Sequence, residues 1–220
     1  MTLDFSIIPR YIPMLLQGAW TTLELTAGAV ALGIVLGLIA AIMKMCRIAP
    51  LRWIANIYIE VIRGTPNLVQ LFLLFYGLPQ LIGVNIPEYA AAVLALGINS
   101  GAYVAEIIRA GIQAVDFGQT EGAYSLGMKP GLTMRYIILP QAVRNILPAL
   151  GNEFIQLLKS SSIVSVIGMT DLMRRSDIIR SITFRSFEPL LTVALMYFIM
   201  TFTLSKLLNA YERRLKNDSR

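Results

Sequence analysis

Residues 19–43 read AWTTLELTAGAVALGIVLGLIAAIM, a run of apolar and small side chains that closes on Lys44, Arg47 and Arg52. About 20 such residues in a helix, rising about 1.5 Å each, cross the hydrocarbon core of a bilayer. Gly28, Gly33 and Gly37 leave room for a second helix to come close. The stretch predicts a transmembrane span, and others of its kind follow. A second begins near Trp53, is interrupted by Arg63-Gly64-Thr65-Pro66 and resumes from Leu68 to Ile82, so a break in mid-span is expected. Pro87 opens a third over about Tyr89–Ala114. Pro140 and Pro148 punctuate the approach to a fourth, about Ala142–Ile167, and a fifth runs from about Pro189 to Leu208. The expected fold is an all-α integral membrane protein of about five transmembrane helices, forming a single domain over residues 1–220.

Composition agrees. Apolar residues make up 56% of the chain, charged residues 15%, and the mean hydropathy is +0.65, outside the range of soluble globular domains. The formal charge is +6, but the basic residues gather at the ends of apolar runs, where lipid headgroups explain them better than nucleic acid does. A lone cysteine, Cys46, and the lack of any histidine exclude an internal disulfide and a Cys/His metal cluster, so Cys46 reads as structural. No removable signal peptide is evident.

Lys44, Arg47 and Arg52 follow the first span, Lys129, Arg135 and Arg144 the third, and Lys206, Arg213, Arg214 and Lys216 the fifth. The excess of basic residues on cytoplasmic loops puts the N-terminus outside and the C-terminus in the cytoplasm. One loop disagrees, because Arg174, Arg175, Arg180 and Arg185 then lie outside, partly balanced by Asp171, Asp177 and Glu188. There, Leu172, Met173, Ile178, Ile179 and Ile182 alternate with charge over 169–185. Both an interfacial helix facing an external partner and an ordinary solvated connection fit that pattern.

Between the third and fourth spans, about 116–138, lies a segment too polar to cross. It reads Gly118-Gln119-Thr120-Glu121-Gly122-Ala123-Tyr124-Ser125-Leu126-Gly127-Met128-Lys129-Pro130, then Arg135-Tyr136-Ile137-Ile138-Leu139-Pro140. Glu121 is expected near the start of a short helix, where it complements the dipole. Gly122 and Ala123 give a small surface, and Gly127 suits a left-handed terminator.

This segment resembles the cytoplasmic coupling motif of ABC importer permeases, Glu-Ala-Ala followed by glycine and a later Ile-x-Leu-Pro, with Gly122 standing where alanine is usual. The resemblance extends from about Gly18 to the fifth span. It is carried also by Arg63-Gly64-Thr65-Pro66 with Gln70-Leu71-Phe72, by Gly101-Ala102-Tyr103-Val104-Ala105-Glu106, by Arg109-Ala110-Gly111-Ile112 and by Leu139-Pro140-Gln141-Ala142-Val143-Arg144. Lys159-Ser160-Ser161-Ser162-Ile163 stands where Lys-x-Thr-Ser-Leu is common. All are similar to the polar amino-acid uptake branch, of the basic amino-acid, glutamine and histidine type.

The resemblance implies a type I importer permease in a prokaryotic cytoplasmic membrane, paired with a second permease, identical or closely related. It implies an ATPase dimer engaged through Glu121, Gly122, Ala123, Tyr124, Leu126 and Gly127, and an extracellular or periplasmic binding protein that delivers the amino acid. ATP and Mg then belong to the ATPase subunits. The chain has no Gly-x4-Gly-Lys-Ser/Thr loop to cradle phosphates and no nucleophile with a histidine base, so no cofactor or catalysis is expected on it. An ion-coupled carrier or channel is the alternative, and a scaffold without transport activity a further one.

Charges at membrane depth cost several kcal/mol unless paired or hydrated, so Glu60, Glu106, Arg109, Glu153 and Lys159 must face protein or water. Glu106 with Arg109, and Glu60 with Arg63, are three apart and read as structural pairs. Glu153 stands apart. Asn152 precedes it and Gln156, Lys159 and Ser160 follow it closely, and together with Ser161 they suggest a polar cavity. There a carboxylate accepts an ammonium or guanidinium, favouring arginine, lysine or histidine; a Glu153–Lys159 bridge is the competing reading. Thr65 and Asn67 at the break, with Asn99 and Ser100 beside Gly101, are candidates for the zwitterionic end.

Overall fold

The computed structural model describes the backbone of residues 3–217 and the side chains of 3–213, so the basic residues Arg214 and Lys216 lie outside the described side chains. Described residues form helices joined by short turns, without a strand. Helix α1 covers Ile8–Met45, starting earlier than its apolar core: Pro9 sits in the first turn, where a missing N–H matters least, and Pro13 lies inside the helix. Its hydroxyls are satisfied internally: Thr22 donates to the Gly18 carbonyl and Thr26 to that of Thr22.

Helix α2, Ala49–Gly64, is broken from α3, Asn67–Phe72, at Thr65-Pro66. Proline disfavours the helical region for the residue before it, and Thr65 is extended at φ −118°, ψ 146°. The chain turns there by 108° between Ala49–Gly64 and Asn67–Ile82, so the expected break is present and sharp. A π turn, Leu73–Gly77, leads into α4, Leu78–Ile82, and a second, Met134–Ile138, leads into α8, Leu139–Ser160. Each π turn ends two residues before a proline, Pro79 or Pro140, whose ring crowds the preceding carbonyls and widens the ladder.

Helix α5, Glu88–Gln113, is the hub, and α1 packs along it. A Cβ at Gly33 would lie 2.9 Å from Ser100 Cβ, and one at Gly37 would lie 2.5 Å from Val104 Cγ1, so these glycines set the helix separation. Helix α6 covers Phe117–Ser125 and α7 Pro130–Thr133. Helix α8 continues as a 3-10 turn, Ser161–Ile167. Helix α9, Leu172–Thr183, is followed by α10, Phe187–Asn217.

Three helices, α1, α5 and α10, are long and apolar enough to cross alone, and the bent pair makes a fourth crossing. Helix α8, with 22 residues, is long enough to be the fifth, but Arg144, Asn145, Asn152, Glu153, Gln156 and Lys159 make it more polar than the other four. The core of α1, α3, α5 and α8 with its 3-10 turn is built from Leu25, Leu71, Leu96, Leu157 and Val164. Helix α9 is a packed element rather than a solvated connection. Asp171 caps it, and Leu172 and Ile179 are buried with Leu15, Ala19 and Val193 of α1 and α10.

Candidate functional site

A cavity of about 350 Å³ lies where the α2–α3 break meets α5 and α8, lined by Thr65, Pro66, Asn67, Asn99, Tyr103, Glu153, Gln156, Leu157 and Ser160. Larger concavities occur on surface loops near 75–88 and 183–188, but these do not collect the intramembrane polar groups. The cavity exists because one break meets two polar helix faces. Thr65-Pro66 ends α2, the side chains of α5 repeat at 99 and 103, and those of α8 repeat at 153, 156, 157 and 160, the spacing of one helical face.

Glu153 accepts a hydrogen bond from Ser100 Oγ at 3.0 Å and has no ion-pair partner among the described residues. Ser100 itself is fully buried and stands behind the carboxylate rather than in the cavity lining. Lys159 is exposed and does not line the cavity, since six residues along a helix turn a side chain well off the starting face. The Glu153–Lys159 bridge is therefore not formed. Ser161 begins the 3-10 turn, is fully buried and donates back to the Leu158 carbonyl at 2.7 Å, which removes it from the cavity. Asn67 Oδ1 is buried without a hydrogen-bond partner. Tyr103 and Gln70 complete the surroundings, and neither stood out in the sequence as a site residue. Tyr103 lies one turn from Asn99, a spacing that could have marked it.

The other membrane-depth charges are structural, with one change of partner. Glu106 accepts from Lys44 at 2.6 Å and from Arg109 at 2.7 Å, so the expected 106–109 pair forms and is joined to α1. Arg63 lies 3.9 Å from Glu106 and over the Tyr103 ring, whereas Glu60 is exposed, so the expected 60–63 pair does not form. The bend carries Arg63 towards α5, where a carboxylate with aromatic company is already in place.

The polar segment after α5 forms a docking-sized helix. Asp116 caps α6 by accepting from Gly118 N at 2.7 Å, and this carboxylate, not Glu121 in the middle of the helix, meets the positive end of the dipole. Gly127 adopts φ +78°, and the Gly127 and Met128 amides return to the carbonyls of Tyr124 and Ala123, the expected left-handed terminator. Glu121, Gly122, Tyr124, Leu126 and Gly127 are exposed, Leu126 to 85%, while Ala123 is buried within the chain's own fold. A Cβ at Gly122 would meet nothing within 4 Å.

Residues 33–217 match the family of binding-protein-dependent transport system inner membrane components. The chain is 44% identical over 218 residues to the arginine transport system permease protein ArtQ of Bacillus subtilis, covering 99% of this chain and 100% of that protein. It is 40% identical over 214 residues to the putative glutamine transport system permease protein GlnP of Rickettsia felis, covering 96% of this chain and 98% of that one. A chain in the crystal structure of an amino acid ABC transporter with histidines superposes with a TM-score of 0.95 at 59% identity, covering 97% of this chain and 100% of that chain. The methionine transporter MetNI in an inward-facing conformation shares the fold, with a TM-score of 0.79 at 19% identity over 94% of this chain and 98% of that one. With its five crossings and polar helix α6, the chain belongs to the family of binding-protein-dependent transport system inner membrane components, the permease subunits of ABC importers.

Proposed function

We propose that this chain forms the translocation pathway of an ATP-driven importer for a cationic amino acid such as arginine, lysine or histidine, and that the cavity at Glu153 holds the solute in transit. The observation that carries the substrate class is the Glu153 carboxylate, at membrane depth with only the neutral hydroxyl of Ser100 for a partner. A cationic side chain supplies the missing charge, and a charge-assisted hydrogen bond is worth about 1.5–3 kcal/mol. Thr65, Asn67, Asn99, Gln156 and Ser160 offer hydrogen bonds to the rest of the solute. Ser100 supports the carboxylate from behind, and Lys159 and Ser161 are left out of the binding set.

In this reading a second permease, identical or closely related, completes the pathway, and a binding protein outside the cytoplasmic membrane delivers the amino acid. Two ATPase subunits, which hold ATP and Mg, grip α6 through Glu121, Gly122, Tyr124, Leu126 and the Gly127 turn. Ala123 serves the internal packing of that helix. The N-terminus lies outside and the C-terminus in the cytoplasm. As the ATPases close and open, α6 moves with them, and the cavity is exposed alternately to the two sides.

The test is arginine uptake, with glutamine for comparison, by the complete complex reconstituted in liposomes. Glu153→Gln is expected to raise the KM for arginine by about 10-fold or more, from the loss of one charge-assisted bond, while assembly and basal ATP hydrolysis persist. Unchanged arginine uptake in that variant overturns the substrate assignment.

A further inference from the structure

Gln70 is 8% exposed and sits one turn into α3, directly after the helix break. Its Nε2 lies 2.8 Å from the Ile62 carbonyl, 3.1 Å from the Thr65 carbonyl and 2.8 Å from Thr65 Oγ1, while its Oε1 receives Asn99 Nδ2 at 3.0 Å. The two backbone carbonyls can only accept, so the Gln70 atom facing them must be the nitrogen. The oxygen is then fixed on the opposite side. Because that oxygen can only accept, the atom Asn99 turns towards it must be its own nitrogen, which leaves Asn99 Oδ1 as the atom available to the cavity.

We infer that Gln70 is a positioning residue: it reads the carbonyls freed by the Thr65-Pro66 break and thereby fixes Asn99 as a hydrogen-bond acceptor in the solute cavity. This rests on the cavity's assignment as the solute site. Its consequence for selectivity is chemical. With Asn99 Oδ1 and the Glu153 carboxylate in the lining of one cavity, the two groups are arranged as acceptors, matched to a solute rich in N–H donors. The same bonds tie the polarity of the cavity to the shape of the bend. A movement that straightens or closes the break withdraws the carbonyls from Nε2 and frees the two amides to turn over.

A double-mutant cycle on uptake by the reconstituted complex tests this, with arginine and glutamine as probes. Asn99→Asp adds negative charge to a cavity for cations, yet it sets a carboxylate oxygen against the Gln70 oxygen. It is therefore expected to weaken arginine uptake by about 5-fold or more. Gln70→Leu releases Asn99 and is expected to lower the arginine-to-glutamine preference by a similar factor. In the Gln70→Leu background, Asn99→Asp is expected to raise that preference, because its oxygens accept in either orientation and nothing opposes them. A merely structural Gln70 would depress both solutes together and would not be rescued by a change at Asn99. Improved arginine uptake by the single Asn99→Asp variant overturns the inference, and that arm stands even where Gln70→Leu does not assemble. Should Glu153→Gln weaken arginine uptake while the cycle shows no coupling, the relay fails and the cavity stands. Should neither Glu153→Gln nor any change at Asn99 matter, it is the cavity assignment that fails.

Discussion

Asp171 has no exposed surface, and it caps α9 by accepting from the amides of Met173 and Arg174 at 3.2 and 2.9 Å. Burial pushes its carboxyl from the ordinary 3.8 up to about 6, against the pull of those amides. The folded protein therefore holds this proton more tightly than the unfolded chain. The stability it contributes is fully present below about pH 4 and is lost as pH rises through 6, at most about 3 kcal/mol in all. Asp171→Asn keeps a capping oxygen and removes the titration. Melting in detergent is expected to show the variant more stable than the parent at pH 8, with the gap closing towards pH 5. At the same scale, Glu153 was legible in the sequence because a carboxylate inside an apolar run demands a reason. Gln70 was not, since an amide in a span asks little on its own. Its role comes from oxygens at Ile62 and Thr65 that only the bend brings to it.

Among elements, the contact of α1 with α5 bears most directly on the site. A Cβ at Gly33 would lie 2.9 Å from Ser100 Cβ and 3.0 Å from Ser100 Oγ, the hydroxyl that supports Glu153. At Gly28 the nearest atoms are 3.7 Å away, an ordinary contact. Gly33→Ala is therefore expected to cost about 1–3 kcal/mol through overpacking and to weaken arginine uptake together with thermal stability. Gly28→Ala, on the same helix, is expected to change neither. A melting series in detergent beside uptake assays checks the contrast. The crossings themselves were legible from hydropathy, and α8 with the 3-10 turn that continues it covers 139–167, against the expected 142–167. The Glu60–Arg63 pair was misread because i,i+3 spacing permits a pair without requiring one. After the 108° turn, Arg63 finds a different carboxylate on α5.

For the whole molecule, α1 acts as a ruler. Its Gly18 end meets Leu172 and Arg175 of α9, and Lys44 near its other end meets Glu106 on the α5 end that leads into α6. The 26 residue steps from Gly18 to Lys44 span about 39 Å at helical rise, so α6 and α9 lie at opposite ends of the bundle. Both ends are basic, but at α9 Arg180 pairs with Asp177, and Arg185 with Glu188, so part of that charge is neutralised locally. Single cysteines placed in a Cys46→Ser background report which end is which. With a membrane-impermeant maleimide and intact cells, Phe184→Cys is expected to label and Leu126→Cys to label only after the membrane is opened. The reverse pattern overturns the proposed orientation.

The sequence by itself determined that this chain lives in a bilayer, crosses it about five times and breaks its second crossing at Pro66. Runs of apolar side chains and the backbone geometry of proline act locally, and no distant neighbour can cancel them. It determined in the same way that the polar stretch between the third and fourth spans is a short helix ended by a glycine turn. Only the tertiary structure decided which polar groups share a cavity and which way each amide faces. Those outcomes depend on the angle at the break and on how close α1, α5 and α8 approach, and neither is a property of any one stretch of chain. A hydrogen bond acts only over a short distance, so the partners of Gln70 and Glu153 exist only once the helices are in place.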